Sequence, residues 1–123
     1  MTDDLRARAS NLALVGALTY EHPELLPILH GHLADNGGEV LPYLYVADVM
    51  RWLVLHREDR PDVCREVFRW MEAAWDRADD HQRDLIGAGF VEALPNPGEA
   101  GAAEMRALLG PDLRRLDAWN PPT

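Results

Sequence analysis

The chain contains no lysine: its twelve basic residues are all arginine, set against 21 aspartates and glutamates. Without a lysine amine, Schiff-base and lysine-nucleophile chemistry have no carrier. Ser10 is the only serine and lies outside any GxSxG elbow, so an α/β-hydrolase nucleophile is also missing. A single cysteine, Cys64, cannot build a disulfide framework and fits a reduced thiol. Beside Val63 and Val67 it reads as a small core residue; the competing reading is a thiolate activated near a helix start. No run approaches the roughly 18 apolar residues of a membrane span. No basic-then-apolar leader opens the sequence, so the expected location is the cytoplasm. HExxH, CxxC, EF-hand and phosphate-loop patterns are absent, and His30 and His32, two residues apart, fall on different faces of a helix. The sequence therefore points to no metal and no cofactor. Clustered positive charge is lacking too, which argues against binding a phosphate backbone.

What is present describes one globular unit. The 123 residues fit a single domain of the commonest size, and a 47% hydrophobic content is too high for a disordered acidic chain. Proline near helix starts and glycine near helix ends punctuate the sequence in the manner of an α-protein. Thr2 is placed to cap a first helix whose inward face would carry Leu5, Ala9, Leu12 and Gly16. A second helix, about Glu24 to Ala34, stops at Asn36-Gly37-Gly38. The run from Pro42 to about His56 is apolar almost all round, which predicts a central, buried helix. A fourth helix runs from Pro61 to about Asp76, with Val63, Val67, Trp70, Met71 and Ala74 inward and a polar face spaced for i,i+3 and i,i+4 ion pairs. A fifth, capped by Asp79-Asp80, extends to Leu94 with Leu85, Ile86, Phe90 and Leu94 inward. Gly87 and Gly89 weaken it, and close helix approach would account for them. Asn96-Pro97-Gly98-Glu99 reads as the capping box of a sixth helix ending at Gly110, followed by a short turn from Pro111 to Leu116. The expected fold is all-α: a single domain over 1–118 of about six helices, as an antiparallel bundle or stacked helical hairpins, with 119–123 as a tail.

Two features carry candidate chemistry. Asp48 is a charge on an otherwise apolar helix and needs a partner, which Arg51 supplies three residues later. The pair is either structural or an acid in a pocket beside Tyr45 and Trp52. More extended is the acidic connection between the fourth and fifth helices, where Glu72, Asp76, Asp79, Asp80 and Asp84 fall within thirteen residues. Glu72 and Asp76, like Asp80 and Asp84, are i,i+4 neighbours of like charge, which mildly destabilises a helix. A negative ridge there would steer a basic protein partner. Trp119 and Trp75 are the candidate aromatic anchors, since tryptophan is enriched at interface hot spots.

Three segments together carry a family resemblance: Leu41-Pro42-Tyr43-Leu44-Tyr45-Val46-Ala47-Asp48-Val49-Met50-Arg51-Trp52-Leu53, then Asp84 to Pro95, then Leu108-Leu109-Gly110-Pro111. Their order and spacing resemble an uncharacterised family of small, acidic, all-helical bacterial proteins. Those proteins are similar to the immunity proteins of polymorphic-toxin and contact-dependent inhibition systems. The resemblance implies an all-α fold and toxin neutralisation; it transfers no binding residue. The leading expectation is a non-enzymatic protein that binds and blocks a cognate toxin, a basic nuclease being the toxin class that suits its acidity. The alternative is a helical adaptor that recognises a protein through a groove between helices. A small enzyme using Asp48 or a histidine is the third reading.

Overall fold

The structure, a computed structural model, describes residues 2–119. Helix α1 spans Thr2–Glu21, and Pro23–Leu25 form a 3-10 turn that leads into α2, Leu26–Asp35. Then come α3 (Pro42–Leu55), α4 (Pro61–Arg77) and α5 (Asp80–Asp84). The chain continues from α5 into a π-helical segment, Leu85–Val91, and ends in two short helices, α6 (Ala102–Arg106) and α7 (Pro111–Arg114). No strand occurs among the described residues, so the all-α expectation holds, with seven α-helices rather than about six.

Local chemistry explains most boundaries. Helices α3, α4 and α7 each begin with proline in the first turn, where its missing N–H removes no intrahelical bond. Helix α2 is closed by Gly37 and Gly38, at φ 64° and 83°, and the Gly38 N–H donates to the Leu33 carbonyl at 2.8 Å. Only glycine adopts this left-handed stop without strain.

One hydrophobic core joins every longer helix. Tyr45, Val46, Val49, Met50 and Leu53 of α3 meet Val63, Val67, Phe68, Met71 and Ala74 of α4, and Leu85, Ile86, Phe90 and Val91 of the π segment. Phe68 and Phe90 meet edge-on at 5.1 Å between ring centres, the geometry that their quadrupoles favour. Cys64 belongs to this core, its Sγ donating to the Leu53 carbonyl at 3.3 Å, and burial pushes the thiol pKa up. That is the opposite of an activated thiolate.

Several expectations are corrected. The buried face of α1 is Asn11, Leu14, Val15, Leu18 and Thr19, whereas Leu5, Ala9, Leu12 and Gly16 face outward. Helix α3 is not buried all round, since Tyr43, Leu44 and Leu55 are exposed. The polar face of α4 forms no ladder of ion pairs among the described residues, and its Glu72 turns to α7 instead.

The fifth helix is α-helical for only five residues before it widens. A π-helix bonds each N–H to the carbonyl five residues back, as Glu92 does to Gly87 at 3.1 Å, and the wider turn here buries Leu85, Ile86, Gly89, Phe90 and Val91. Close approach does account for Gly89, because a Cβ there would lie 2.8 Å from Val46 Cγ2. It does not account for Gly87, whose added Cβ would find Leu116 at 3.7 Å. The Asn96–Glu99 box forms one of its two bonds, the Asn96 N–H donating to Glu99 Oε1 at 2.7 Å. It closes a turn, however, because left-handed Gly98 and Gly101 hold helix formation back to Ala102.

Candidate partner-binding site

The five carboxylates of the expected ridge sit on or beside α4 and α5, but three of them are engaged in holding helices together. Glu72, half-buried on α4, accepts from the backbone N–H groups of Asp112 and Leu113 at 2.7 and 3.1 Å. It thereby caps α7, whose own N-cap position is Gly110 and has no side chain to do so. Asp79 caps α5 in the expected way, accepting from the Gln82 N–H at 2.8 Å. It also accepts from the Ser10 hydroxyl at 2.5 Å, which ties α5 to α1. The Ser10 hydrogen bond, then the one from Gln82, holds the Asp79 carboxyl below the usual aspartate range. Asp84 accepts from the Tyr43 hydroxyl of α3. Burial and then that carboxylate push the Tyr43 pKa up to about 12.

Asp76 and Asp80 remain. Both are exposed and form no ion pair or side-chain hydrogen bond among the described residues. Around them the geometry is that of a solvated negative surface at the α4–α5 junction. Trp75, half-buried, carries the Arg83 guanidinium over its ring at 4.8 Å, so it is a packed residue rather than a free anchor. Trp119 is 58% exposed. Its backbone N–H donates to Asp117 Oδ1 at 3.1 Å, and the buried Asp117 is held by Arg106 at 2.8 Å. The Arg106–Asp117 pair is eleven residues apart in sequence, beyond the reach of helical spacing, and no local pattern announced it.

Asp48 does pair with Arg51, at 2.9 Å. The sequence reading missed its second partner, His32 of α2, whose Nδ1 donates to Asp48 Oδ2 at 3.0 Å. The tautomer follows from the other nitrogen, since Nε2 accepts the Leu41 N–H at 3.0 Å. The His32 side chain is fully buried and its ring meets Tyr45 edge-on at 5.4 Å between centres. Tyr45 in turn shares a hydrogen bond with Thr19 of α1 at 2.7 Å. This arrangement satisfies buried polar groups across α1, α2 and α3. It leaves the imidazole no free lone pair for a substrate. Among the described residues, no group of three or more His, Cys, Asp or Glu is placed to hold a metal ion. No helix among them is long and apolar enough to cross a membrane.

Comparison with known proteins adds the family. No curated protein and no solved structure matches the chain. Residues 15–121 match DUF7674, described as a domain of unknown function, a span that encloses all three segments of the resemblance noted from the sequence. That is most of the chain, which therefore belongs to the DUF7674 family.

Proposed function

We propose that this protein is a non-catalytic immunity protein, which binds a cognate toxin domain and blocks it. The observation that carries the reading is the excess of 21 acidic over twelve basic side chains, with Asp76 and Asp80 at one helix connection both unpaired among the described residues. An exposed, unpaired carboxylate contributes little to stability but raises the on-rate of a basic partner. A toxin that cleaves nucleic acid must itself attract phosphate, so a basic toxin is the partner this surface suits. Glu72, Asp79 and Asp84 set the junction's shape, Asp76 and Asp80 steer, and Trp119 supplies exposed aromatic area. The site of action is the cytoplasm.

The test is growth rescue. Co-expression with the cognate toxin domain should restore growth of otherwise poisoned cells. The paired charge reversal Asp76→Arg/Asp80→Arg, on a folded protein, should weaken binding, most strongly at low salt. Failure of the parent protein to rescue would remove the immunity reading. Rescue that the charge reversal leaves intact would move the contact surface elsewhere.

A further inference from the structure

The loop between α2 and α3 is fastened by a side chain that can change its charge. The Leu41 N–H donates to His32 Nε2 at 3.0 Å, and Val40 makes no backbone hydrogen bond among the described residues. The other ties are short-range: Gly38 N–H to the Leu33 carbonyl at 2.8 Å and Glu39 N–H to the Asn36 carbonyl at 3.1 Å. Only a neutral ring can accept from Leu41, because an imidazolium is a donor at both nitrogens. Protonation of Nε2 and the Leu41 bond therefore exclude each other. The His32 side chain is fully buried, so the closed loop offers neither donor a water in exchange.

At the other nitrogen the balance is reversed. Nδ1–H donates to Asp48 Oδ2 at 3.0 Å in either charge state, and the bond becomes an ion pair when the ring is charged.

We propose that His32 is an acid-operated latch: protonation at Nε2 releases the Leu41 N–H and opens the loop, while Asp48 keeps the ring in place. The groups that face the ring fit this division. From α3 they are Asp48, itself paired with Arg51 at 2.9 Å, and the Tyr45 phenol, which is uncharged in acid. From α2 the neighbour is the neutral Asn36, whose Nδ2 lies 3.5 Å from Nδ1. On the loop, Glu39 pairs with Arg8 of α1 at 3.0 Å, and both side chains are more than half exposed. Both stay ionised while a histidine titrates, and so exposed a pair resists the release little. The Leu41 carbonyl keeps its bond from the Tyr45 N–H at 2.8 Å, so α3 retains its first turn and the change stays local. Residues 39–43 also wall a cavity of about 360 Å³ against α1, whose shape then follows the pH. The acidic junction lies on α4 and α5, so the latch does not depend on the toxin reading.

Nuclear magnetic resonance of the whole chain between about pH 8 and pH 5, the range in which histidine titrates, is the test. At the upper end the ring nitrogens should report the Nδ1–H tautomer. As the pH falls, hydrogen-exchange protection of the Leu41 amide, corrected for the intrinsic rate, should drop at least about tenfold. The drop should share its midpoint with the His32 ring signals, while Val49 and Val67 stay protected. Asp48→Asn should move that midpoint about one pH unit lower, since the imidazolium loses its carboxylate. His32→Gln supplies a donor and an acceptor that do not titrate, and should hold Leu41 equally at both ends of the range. Should that variant not fold, the parent titration alone decides. A ring that stays neutral until the core unfolds, a charged ring with Leu41 still protected, or an Nε2–H tautomer at the upper end would overturn the proposal. So would a midpoint that Asp48→Asn leaves unchanged or raises.

Discussion

The Glu72 carboxylate of α4 occupies the space where a Cβ on Gly110 would stand, with Cδ 2.5 Å from that position. Gly110 has φ −76°, which any residue adopts, so glycine is needed here for space and not for backbone freedom. Glu72→Ala removes the cap of α7 and should cost about 1–2 kcal/mol, the scale of a lost N-cap. Gly110→Ala should cost a similar amount, because its methyl group drives the carboxylate off the Asp112 and Leu113 N–H groups. The double variant should be clearly less destabilised than the sum, since the methyl then meets no carboxylate. Urea denaturation of the four proteins reads this directly. Additive losses would show that the two residues do not share one site.

The Tyr43–Asp84 bond makes a pH prediction of definite sign. The Tyr43 pKa is raised to about 12 in the folded protein, against about 10 for an unfolded tyrosine. The folded state therefore favours the protonated phenol. Its contribution is complete below pH about 10 and is lost as the pH climbs towards 12. Ultraviolet titration should show a late-ionising tyrosine that Tyr43→Phe abolishes. The same substitution should flatten part of the alkaline decline in stability. Tyr45 also has a raised pKa, through burial, so some alkaline sensitivity should persist in the variant.

Asp79 supplies the opposite limb. Its carboxyl is held below the usual value by Ser10 and the Gln82 N–H. Its contribution is therefore present above the unfolded pKa, about 3.9, and fades as the pH falls through the lower folded value. Ser10→Ala should make the protein less dependent on pH in that acid window. At neutral pH it should cost on the order of 1 kcal/mol, less than a buried hydrogen bond to a charged group because Asp79 is exposed to solvent. Acid titration followed by circular dichroism compares the two proteins.

How far the sequence could be read follows the range of the interactions. Proline starts and the Gly37-Gly38 stop are local, and both were legible. So was Asp48–Arg51, a pair set by helical spacing alone. The contacts Glu72–Asp112, Tyr43–Asp84, His32–Asp48 and Arg106–Asp117 span 40, 41, 16 and 11 residues, and no periodicity encodes them. That is why the acidic ridge read as one surface, although three of its five members serve as helix ties. The outward turn of Leu5 and Leu12 was hidden for a related reason. An apolar stripe marks a face that wants covering without saying by what.

The two glycines of the π segment separate packing from propensity. Both interrupt a helix, and replacing either with alanine should gain up to about 1 kcal/mol of propensity if nothing else changes. At Gly87 nothing lies closer than Leu116 Cδ1 at 3.7 Å, an ordinary contact, so Gly87→Ala should be neutral or stabilising. At Gly89 the new Cβ meets Val46 Cγ2 at 2.8 Å and Leu85 Cδ1 at 3.1 Å, both in the core. Overpacking of that kind costs about 1–3 kcal/mol, so it outweighs the gain and Gly89→Ala should destabilise. Trimming the opposing side chain tests the cause. Val46→Ala alone leaves a cavity and destabilises, but combined with Gly89→Ala it should recover part of the loss, because the added methyl enters the space that the valine leaves. Thermal melts of the four variants would decide it, and equal tolerance at positions 87 and 89 would mean that α3 does not press on the π segment as the structure has it.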